Sequence, residues 1–216
     1  MNQDWLTGRA VLTVKNRGLQ AINRMVGDKI PGSYREFTSA DKVSDEHEDA
    51  LRYPVEMLNT LTGGSALPDH KLRLKKGFVV MLLRNLDRAN GHINGARYVI
   101  ENMTNNILFL KLAVGPHKGK LLALPRMPCG PGTENFPVPG FTRTQFPVRV
   151  CFVLTTNKAQ GQSFKEELGI SFTSECFSHG QAYVALSRTT HPQKVNVVVE
   201  RGDRLTKNIV YREVFR

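Results

Sequence analysis

Short β-rich runs crowd together between residues 71 and 126, and this clustering constrains the fold more than any other feature of the sequence. The runs read KLRL, GFVVMLL, RYVIENM, ILFLKLAVG and KLLALPRM. The turn dipeptides Asn90-Gly91 and Asn94-Gly95 and the polar stretch 117–120 separate them. Closely spaced short strands with little helix predict a small antiparallel barrel.

The segments on either side of this region alternate strand with helix. Before it, a buried strand over residues 9–16 leads into an amphipathic helix over residues 17–29. The apolar face of that helix is predicted from Leu19, Ile22, Met25 and Val26. After it, the sequence predicts strands over 146–154, 168–172 and 194–200 and a helix over 178–188. This alternation is typical of a parallel α/β sheet.

The sequence therefore predicts one α/β domain that is interrupted by a small β-barrel. The predicted boundaries are 1–67 for the first part of the domain, 68–142 for the barrel and 143–216 for the remainder. Within these limits, the acidic stretch 39–52 predicts an exposed loop or insertion, residues 54–61 a short helix, and the proline-rich residues 125–139 an exit linker.

The chain is strongly basic, and its charge is unevenly distributed. The formal net charge is +11 and the pI is near 9.8. Residues 65–128 carry eleven lysines and arginines against three acids, a local net of +8, whereas six acids crowd residues 41–56. Such a surface favours a polyanion such as nucleic acid as partner. The simpler alternative is that scattered cations only keep the domain in solution.

The cysteines and the apolar runs argue against several classes of protein. Cys129, Cys151 and Cys176 form no Cys-x-x-Cys pair, which argues against a disulfide framework and against a metal site. The longest apolar run, residues 78–83, is far too short to span a membrane. We expect an intracellular protein without a membrane partner, nuclear or mitochondrial if its source is eukaryotic.

The strongest local signal is TTNKAQGQSF, residues 155–164, which directly follows a predicted buried strand. Open α/β sheets bind ligands at the carboxyl ends of their parallel strands. Hydroxyls, an amide, a lysine and a glycine that lets backbone N–H groups approach closely suit the phosphate oxygens of a nucleotide or of a DNA backbone. The alternative is a polar loop that only caps a helix.

A second signal is GQAYVALSR, residues 180–188. Tyr183, Val184 and Leu186 are predicted to pack the helix on the sheet, which leaves Arg188 at its polar end. Arg188 could cap the helix carbonyls. It could instead reach a neighbouring nucleotide as an arginine finger that offsets charge on a transferring phosphoryl group.

These segments carry a resemblance to a known family. FPVRVCFVLTTNKAQGQSF resembles motif V of the Pif-type DNA helicases, GQAYVALSRTT their motif VI, and RAVLTVKN with the following helix their motif IV. KLRLKKGFVVMLLRNLDRANGHINGARYVI resembles the start of the barrel inserted in their second motor domain. PVEMLNTL, LLRNLD and FSHGQ further resemble the version found in Helitron rolling-circle transposons. The resemblance covers nearly the whole chain.

The resemblance implies a RecA-like motor domain interrupted by an SH3-like β-barrel, in helicases that close on ATP and step 5′ to 3′ along one DNA strand. Residues implied to contact single-stranded DNA are Thr155, Thr156, Asn157, Lys158 and Ser163. Residues implied to line the DNA track or the nucleotide cleft are Thr13, Lys15 and Asn16. Residues implied to lie near the ATP phosphates are Gly161, Gln162 and the arginine finger Arg188, with Gln181 supporting the finger. Thr156 stands where the family more often has isoleucine.

Two motifs of a complete helicase are not found in these 216 residues. One is a glycine-rich phosphate loop that ends in Lys-Ser/Thr, and the other is an acidic pair after an apolar strand. The nearest match, residues 115–121, is one residue short, lacks the hydroxyl and predicts a hairpin turn instead. We expect a fragment, a truncated gene product or a transposon remnant that is inactive alone. ATP and Mg²⁺ are expected only together with a Walker-bearing first motor domain as partner.

Three functions remain open at this point. The leading hypothesis is the second motor domain, with its inserted barrel, of an ATP-dependent DNA helicase. The alternative is a non-catalytic basic protein that holds single-stranded nucleic acid. A basic ribosome-associated protein would explain the charge but not the two motifs.

Overall fold

The computed structural model describes residues 3–15, 19–44, 53–62, 66–131, 136–164 and 166–199, and residues 206, 208–211 and 213. The chain folds into two units: unit 1 comprises Met1–Lys29 and Cys151–Arg216, and unit 2 comprises Ile30–Val150. The helices are α1 (Gln3–Thr7), α2 (Leu19–Lys29), α3 (Val55–Thr60) and α4 (Gln181–Leu186). The strands are β1 (Ala10–Thr13), β2 (Arg35–Thr38), β3 (Ala40–Val43), β4 (Lys71–Leu74), β5 (Val79–Leu82), β6 (Arg97–Met103), β7 (Ile107–Leu112), β8 (Leu121–Pro125), β9 (Met127–Cys129), β10 (Phe141–Gln145), β11 (Val148–Val150), β12 (Val153–Thr155), β13 (Leu168–Phe172) and β14 (Val195–Val199). Short 3-10 turns cover Thr156–Ala159 and Pro192–Lys194.

Unit 1 contains a sheet of four parallel strands in the order β12-β1-β13-β14. Leu12, Leu154 and Ile170 are almost fully buried on neighbouring strands, as expected where a parallel sheet is covered by helices and loops. The predicted parallel sheet is therefore confirmed. Because the strands run the same way, their carboxyl ends meet at one edge.

Helix α2 forms where the periodicity predicts a helix, but the prediction of its buried face was wrong. Its buried residues are Asn23 and Gly27, whereas Met25 is 62% exposed. The reason is that Asn23 Oδ1 accepts hydrogen bonds from the backbone N–H groups of Phe152 and Val153, at 3.0 and 3.1 Å. Asn23 thus satisfies two donors where β12 begins, a task that no apolar side chain can perform.

Helix α4 is likewise present, with a different buried face from the one predicted. Tyr183 is 73% exposed and Leu186 is also exposed, whereas Ala182 and Ala185 are buried. Since alanine occupies little space, α4 approaches its neighbours through its small residues and leaves its large apolar side chains outside. The helix begins after Gly180, which adopts a left-handed conformation with φ +70°.

Unit 2 is built from antiparallel strands only, among the residues that the structure describes. Its sheets have the orders β11-β5-β6-β7-β8, β3-β10-β9 and β2-β4. Residues 115–121 lie in the connection of the β7–β8 hairpin, where Gly119 N–H donates to the Leu112 carbonyl at 2.9 Å. The hairpin predicted for this glycine-rich segment is confirmed, and so is the helix predicted over 54–61. The SH3-like barrel stays a prediction.

The division between the units differs from the boundaries predicted at residues 68 and 142. The apolar run 146–154 forms two strands instead of one: β11 pairs with β5 of unit 2, and β12 pairs with β1 of unit 1. At the other boundary, β2 and β3 pair with β4 and β10, so the segment from Ile30 onward belongs to unit 2. Part of the acidic stretch is strand β3, and residues 45–52 lie outside the described residues.

A buried ion pair joins β3 to β10 in unit 2. Asp41 is 0% exposed and Arg143 is 1% exposed, and Arg143 Nη2 lies 2.6 Å from Asp41 Oδ2. The guanidinium also donates to the backbone carbonyls of Leu58, Leu61 and Pro68 at 3.0–3.1 Å. Arg143 therefore fastens the end of α3 and the approach to β4 onto this sheet.

The cysteines are buried and no membrane-spanning helix is found. Cys129, Cys151 and Cys176 are free thiols, and burial raises the pKa of Cys129 and of Cys176. Across the described ranges, no helix is long and apolar enough to cross a membrane. The same residues contain no group of three or more His, Cys, Asp or Glu that could hold a metal ion.

Candidate functional site

The candidate site lies at the carboxyl edge of the unit 1 sheet. β1 and β12 are neighbours in register, with Thr13 opposite Thr155, so both strands end at the same level. The 3-10 turn Thr156–Ala159 continues directly from β12. The fold therefore brings the residues after β1 close to those after β12, although more than a hundred residues separate them in the sequence.

Two threonines fasten this edge. Thr156 is 1% exposed, and its Oγ1 donates to the Thr13 carbonyl at 3.1 Å. Thr13 is buried too, and its Oγ1 donates to the Lys15 carbonyl at 3.0 Å. The geometry gives both side chains a structural task, since their hydroxyls join the two strand ends. A buried position also explains why isoleucine fits here in the family that the sequence resembles.

The remaining predicted DNA contacts are more accessible. Lys15, Asn157 and Ser163 are exposed, and Thr155 and Lys158 are half-buried. These side chains offer a cation, an amide and hydroxyls, which are the groups that most often bind the sugar-phosphate backbone. Asn16 lies outside the described residues.

The loop that follows the turn is folded back on itself. Gly161 has φ +77°, a left-handed conformation that favours glycine. Gln162 N–H donates to the Ala159 carbonyl at 3.0 Å, and Gln162 Nε2 donates to the Lys158 carbonyl at 3.3 Å. Gln162 thereby closes the loop onto the residue that is predicted to contact DNA.

Arg188 follows α4 and joins this helix to the loop after β12. Its Nε donates to the Val184 carbonyl at 3.0 Å, Nη2 donates to Ser187 Oγ at 3.0 Å, and Nη1 donates to the Gln162 carbonyl at 3.4 Å. The Arg188 carbonyl in turn accepts from Phe164 N–H at 2.8 Å. The contact with Val184 is the helix-capping contact of the simpler alternative. The contact with Gln162 brings together two segments that the sequence singled out separately.

Gln181 is buried at the start of α4 and connects it with the sheet. Its Oε1 accepts from Phe177 N–H at 3.1 Å, and its Nε2 donates to the Val14 carbonyl at 3.4 Å. Because Val14 directly follows β1, Gln181 ties α4 to the same edge at which the other predicted residues meet.

Two residues of this region were missed by sequence reasoning. Ser187 bonds to the Arg188 guanidinium, and Asn23 holds the beginning of β12. The polar residue on the inner face of a predicted helix was a signal for Asn23. Ser187 directly precedes Arg188, which was a weaker signal, because serine also commonly ends helices as an ordinary polar residue.

Unit 1 is therefore an α/β domain with a ligand-binding type of edge, at which cationic and polar groups from three separate segments meet. The comparisons with known proteins narrow this class. Residues 56–103, which lie in unit 2, match the family model described as the DNA helicase Pif1, 2B domain.

Curated relatives agree with this match. The ATP-dependent DNA helicase PIF1 of Xenopus laevis is 34% identical over 139 residues, which cover 60% of this chain and 20% of that protein. The ATP-dependent DNA helicase RRM3 of Saccharomyces cerevisiae is 28% identical over 153 residues, which cover 70% of this chain and 20% of that protein. The chain thus spans about a fifth of the length of the curated relatives that it matches.

Solved structures show the same fold. The structure of Bacteroides Pif1 bound to ssDNA has a TM-score of 0.66 at 22% identity and covers 96% of this chain and 44% of that one. Pif1 helicase from Candida albicans has a TM-score of 0.69 at 20% identity, with 96% and 48% covered. The fold is therefore that of part of a Pif1 helicase. The family model, the relatives and the structures together support a relationship with Pif1-type DNA helicases.

Proposed function

We propose that this chain is the second motor portion of an ATP-dependent DNA helicase that moves 5′ to 3′ on single-stranded DNA. In this proposal unit 1 is the RecA-like motor domain, and unit 2 is the inserted domain with an SH3-like barrel, in the style of Helitron helicases. The match over residues 56–103 and the similarity to ATP-dependent Pif1 helicases support it. The activity is that of a whole helicase, of which the chain corresponds to a part.

One observation carries the proposal more than any other. The Arg188 guanidinium lies 3.4 Å from the carbonyl of Gln162, so the expected arginine finger and the expected phosphate-proximal loop form one hydrogen-bonded structure. The two residues are 26 positions apart. A helix cap alone requires the contact with Val184 but not the contact with a second, glycine-containing loop.

The proposed DNA contacts follow from exposure and chemistry. Lys158 and Asn157 lie on the turn after β12, and Lys15 lies beyond the end of β1. A lysine at such a place acts as a point charge on a backbone phosphate, which positions the strand without reading its bases. Thr13 and Thr156 hold the two strand ends together and so keep these groups in place.

The partner in this proposal is a first motor domain that carries the Walker motifs. That domain would hold the ATP phosphates and Mg²⁺, while this chain contributes Arg188 and the loop around Gly161 and Gln162. An arginine finger acts on the charge of the transition state and is worth about a thousandfold or more in turnover. The chain alone is expected to hydrolyse no ATP.

The test is a fusion of this chain to the first motor domain of a Pif1-type helicase, with ATPase activity and single-stranded DNA affinity measured separately. Arg188→Ala should remove most turnover and leave DNA affinity nearly intact. Lys158→Ala should weaken DNA binding and DNA stimulation, with basal hydrolysis less affected.

The helix-capping alternative gives a different result. Loss of a cap predicts a fall in stability of about 1 kcal/mol or less, with nearly normal turnover at low temperature. An Arg188→Ala fusion that melts earlier but hydrolyses ATP at the normal rate would show that the finger assignment is wrong.

A second candidate function, a non-catalytic module that holds single-stranded nucleic acid, is favoured by the local net charge of +8 over residues 65–128. It shares the DNA contacts of the first proposal but gives Arg188 no catalytic task. A fusion that binds DNA normally but never regains ATPase activity, with the first motor domain shown to be competent, would favour this module.

A further inference from the structure

We infer that Ser187 is a positioning residue for the Arg188 guanidinium and holds it ready for a phosphate. The inference rests on the proposed function, because it gives Ser187 a task only if Arg188 acts on a nucleotide. Ser187 stands at the end of α4, is half-buried, and belongs to none of the groups that the sequence marked as functional.

Ser187 and Val184 together grip one side of the guanidinium. Arg188 Nη2 donates to Ser187 Oγ at 3.0 Å, and Arg188 Nε donates to the Val184 carbonyl at 3.0 Å. Ser187 Oγ donates its own proton to that same carbonyl at 3.2 Å. The hydroxyl is thus fixed as an acceptor toward the arginine, and its direction is set by the helix end.

This arrangement leaves two donors of the arginine available. A guanidinium has five N–H donors, and the contacts with Val184, Ser187 and Gln162 use three of them. Within the described part of the chain, the two other N–H groups, one on each Nη, make no hydrogen bond. A pair of donors on the two terminal nitrogens matches the oxygens of a phosphate, which arginine binds bidentately.

The serine matters because it fixes rotation as well as charge. Without the hydroxyl, Nη2 loses its acceptor and the guanidinium is held on that side by Val184 alone. The side chain then populates other rotamers, and a catalytic group must be held within narrow limits to contribute fully to a transition state. Threonine keeps the hydroxyl and should preserve the contact.

The experiment measures ATP turnover in the fusion with a first motor domain. Ser187→Ala should lower kcat about tenfold and leave the KM for ATP within about twofold, as expected for an interaction realised in the transition state. Ser187→Thr should restore most of the lost turnover. Thr189→Ala is the matched control, because the Thr189 hydroxyl accepts from His191 N–H at 3.3 Å and does not face the guanidinium.

A double-mutant cycle separates positioning from a merely structural role. If Ser187 acts through Arg188, Ser187→Ala should cause no further loss in an Arg188→Ala background. An equal loss in both backgrounds, or normal kcat together with a lower melting temperature, would overturn the inference and leave the finger assignment intact. Normal turnover in Arg188→Ala itself would overturn the finger assignment and this inference with it.

Discussion

Replacing Arg143 by methionine should destabilise unit 2 strongly, because it leaves a buried carboxylate without its cation. The guanidinium makes three contacts of 2.6–3.1 Å with Asp41, and neither side chain is accessible to solvent. Breaking a buried pair by removing one partner costs about 3–5 kcal/mol. The carbonyls of Leu58, Leu61 and Pro68 lose a donor as well, so we expect the upper half of that range.

Hydrogen exchange of the β10 amides in increasing urea is the appropriate assay. Tryptophan fluorescence would miss the effect, because Trp5 is the only tryptophan and belongs to unit 1. Arg149→Met is the matched control: Arg149 lies 4.0 Å from Asp69, but both side chains are partly exposed. An exposed pair of this kind contributes about 1 kcal/mol or less.

A second variant tests whether the unpaired charge is the cause. Asp41→Asn removes the charge, so combining it with Arg143→Met should recover at least about 1 kcal/mol relative to the sum of the single changes. Asp41 would still accept from Ser39 Oγ, which lies 2.6 Å away. A loss below about 1 kcal/mol in Arg143→Met, or strictly additive effects, would refute the reasoning.

Two further predictions concern ionisation and salt. Burial raises the pKa of Tyr98 from 10.0 to about 12, and its hydroxyl lies 2.8 Å from His92 Nδ1. Because the folded state holds this proton more tightly than the unfolded state, the free energy of unfolding should be unaffected below pH 10 and fall as the pH rises toward 12, and urea titrations of Tyr98→Phe should lack that fall. Binding of the chain to single-stranded oligonucleotides should weaken with salt, with a logarithmic slope of about −0.7 per phosphate contact. Lys158→Ala should reduce the slope by about one contact, whereas Lys194→Ala, whose ammonium lies 3.5 Å from Glu166, should leave it unchanged, and an affinity that is insensitive to salt would contradict the electrostatic argument.

The elements that the sequence predicted well are those whose hydrogen bonds are local or whose burial pattern is uniform. Strand 168–172 was predicted with the bounds that the structure has, because it is a short apolar run between polar segments. The hairpins of unit 2 followed from turn dipeptides, whose backbone requirements are local. Such features depend on neighbouring residues and not on the rest of the chain.

The failures share one cause, which is that they depend on contacts distant in sequence. The run 146–154 is apolar throughout, so nothing local shows that the chain leaves β11 for a different sheet before β12. Helix periodicity placed Met25 inside and could not show that Asn23 bonds the strand end 129 residues away. Thr156 was predicted to face DNA because it is polar, yet its hydroxyl is used by the Thr13 carbonyl across the sheet.

The capping role and the phosphate-binding role of Arg188 are compatible, because they use different donors of one guanidinium. Nε is committed to the end of α4, and the terminal nitrogens each retain an N–H beyond their contacts with Ser187 and Gln162. A helix cap fixes the side chain when the protein folds, so the entropy of ordering it is not lost again when a phosphate binds. Donors held in place before the reaction stabilise developing charge more than donors that must reorient, since no reorganisation is required at the transition state. The capping contact, first considered as the rival explanation for Arg188, is thus the device by which a finger at this position would be prepared.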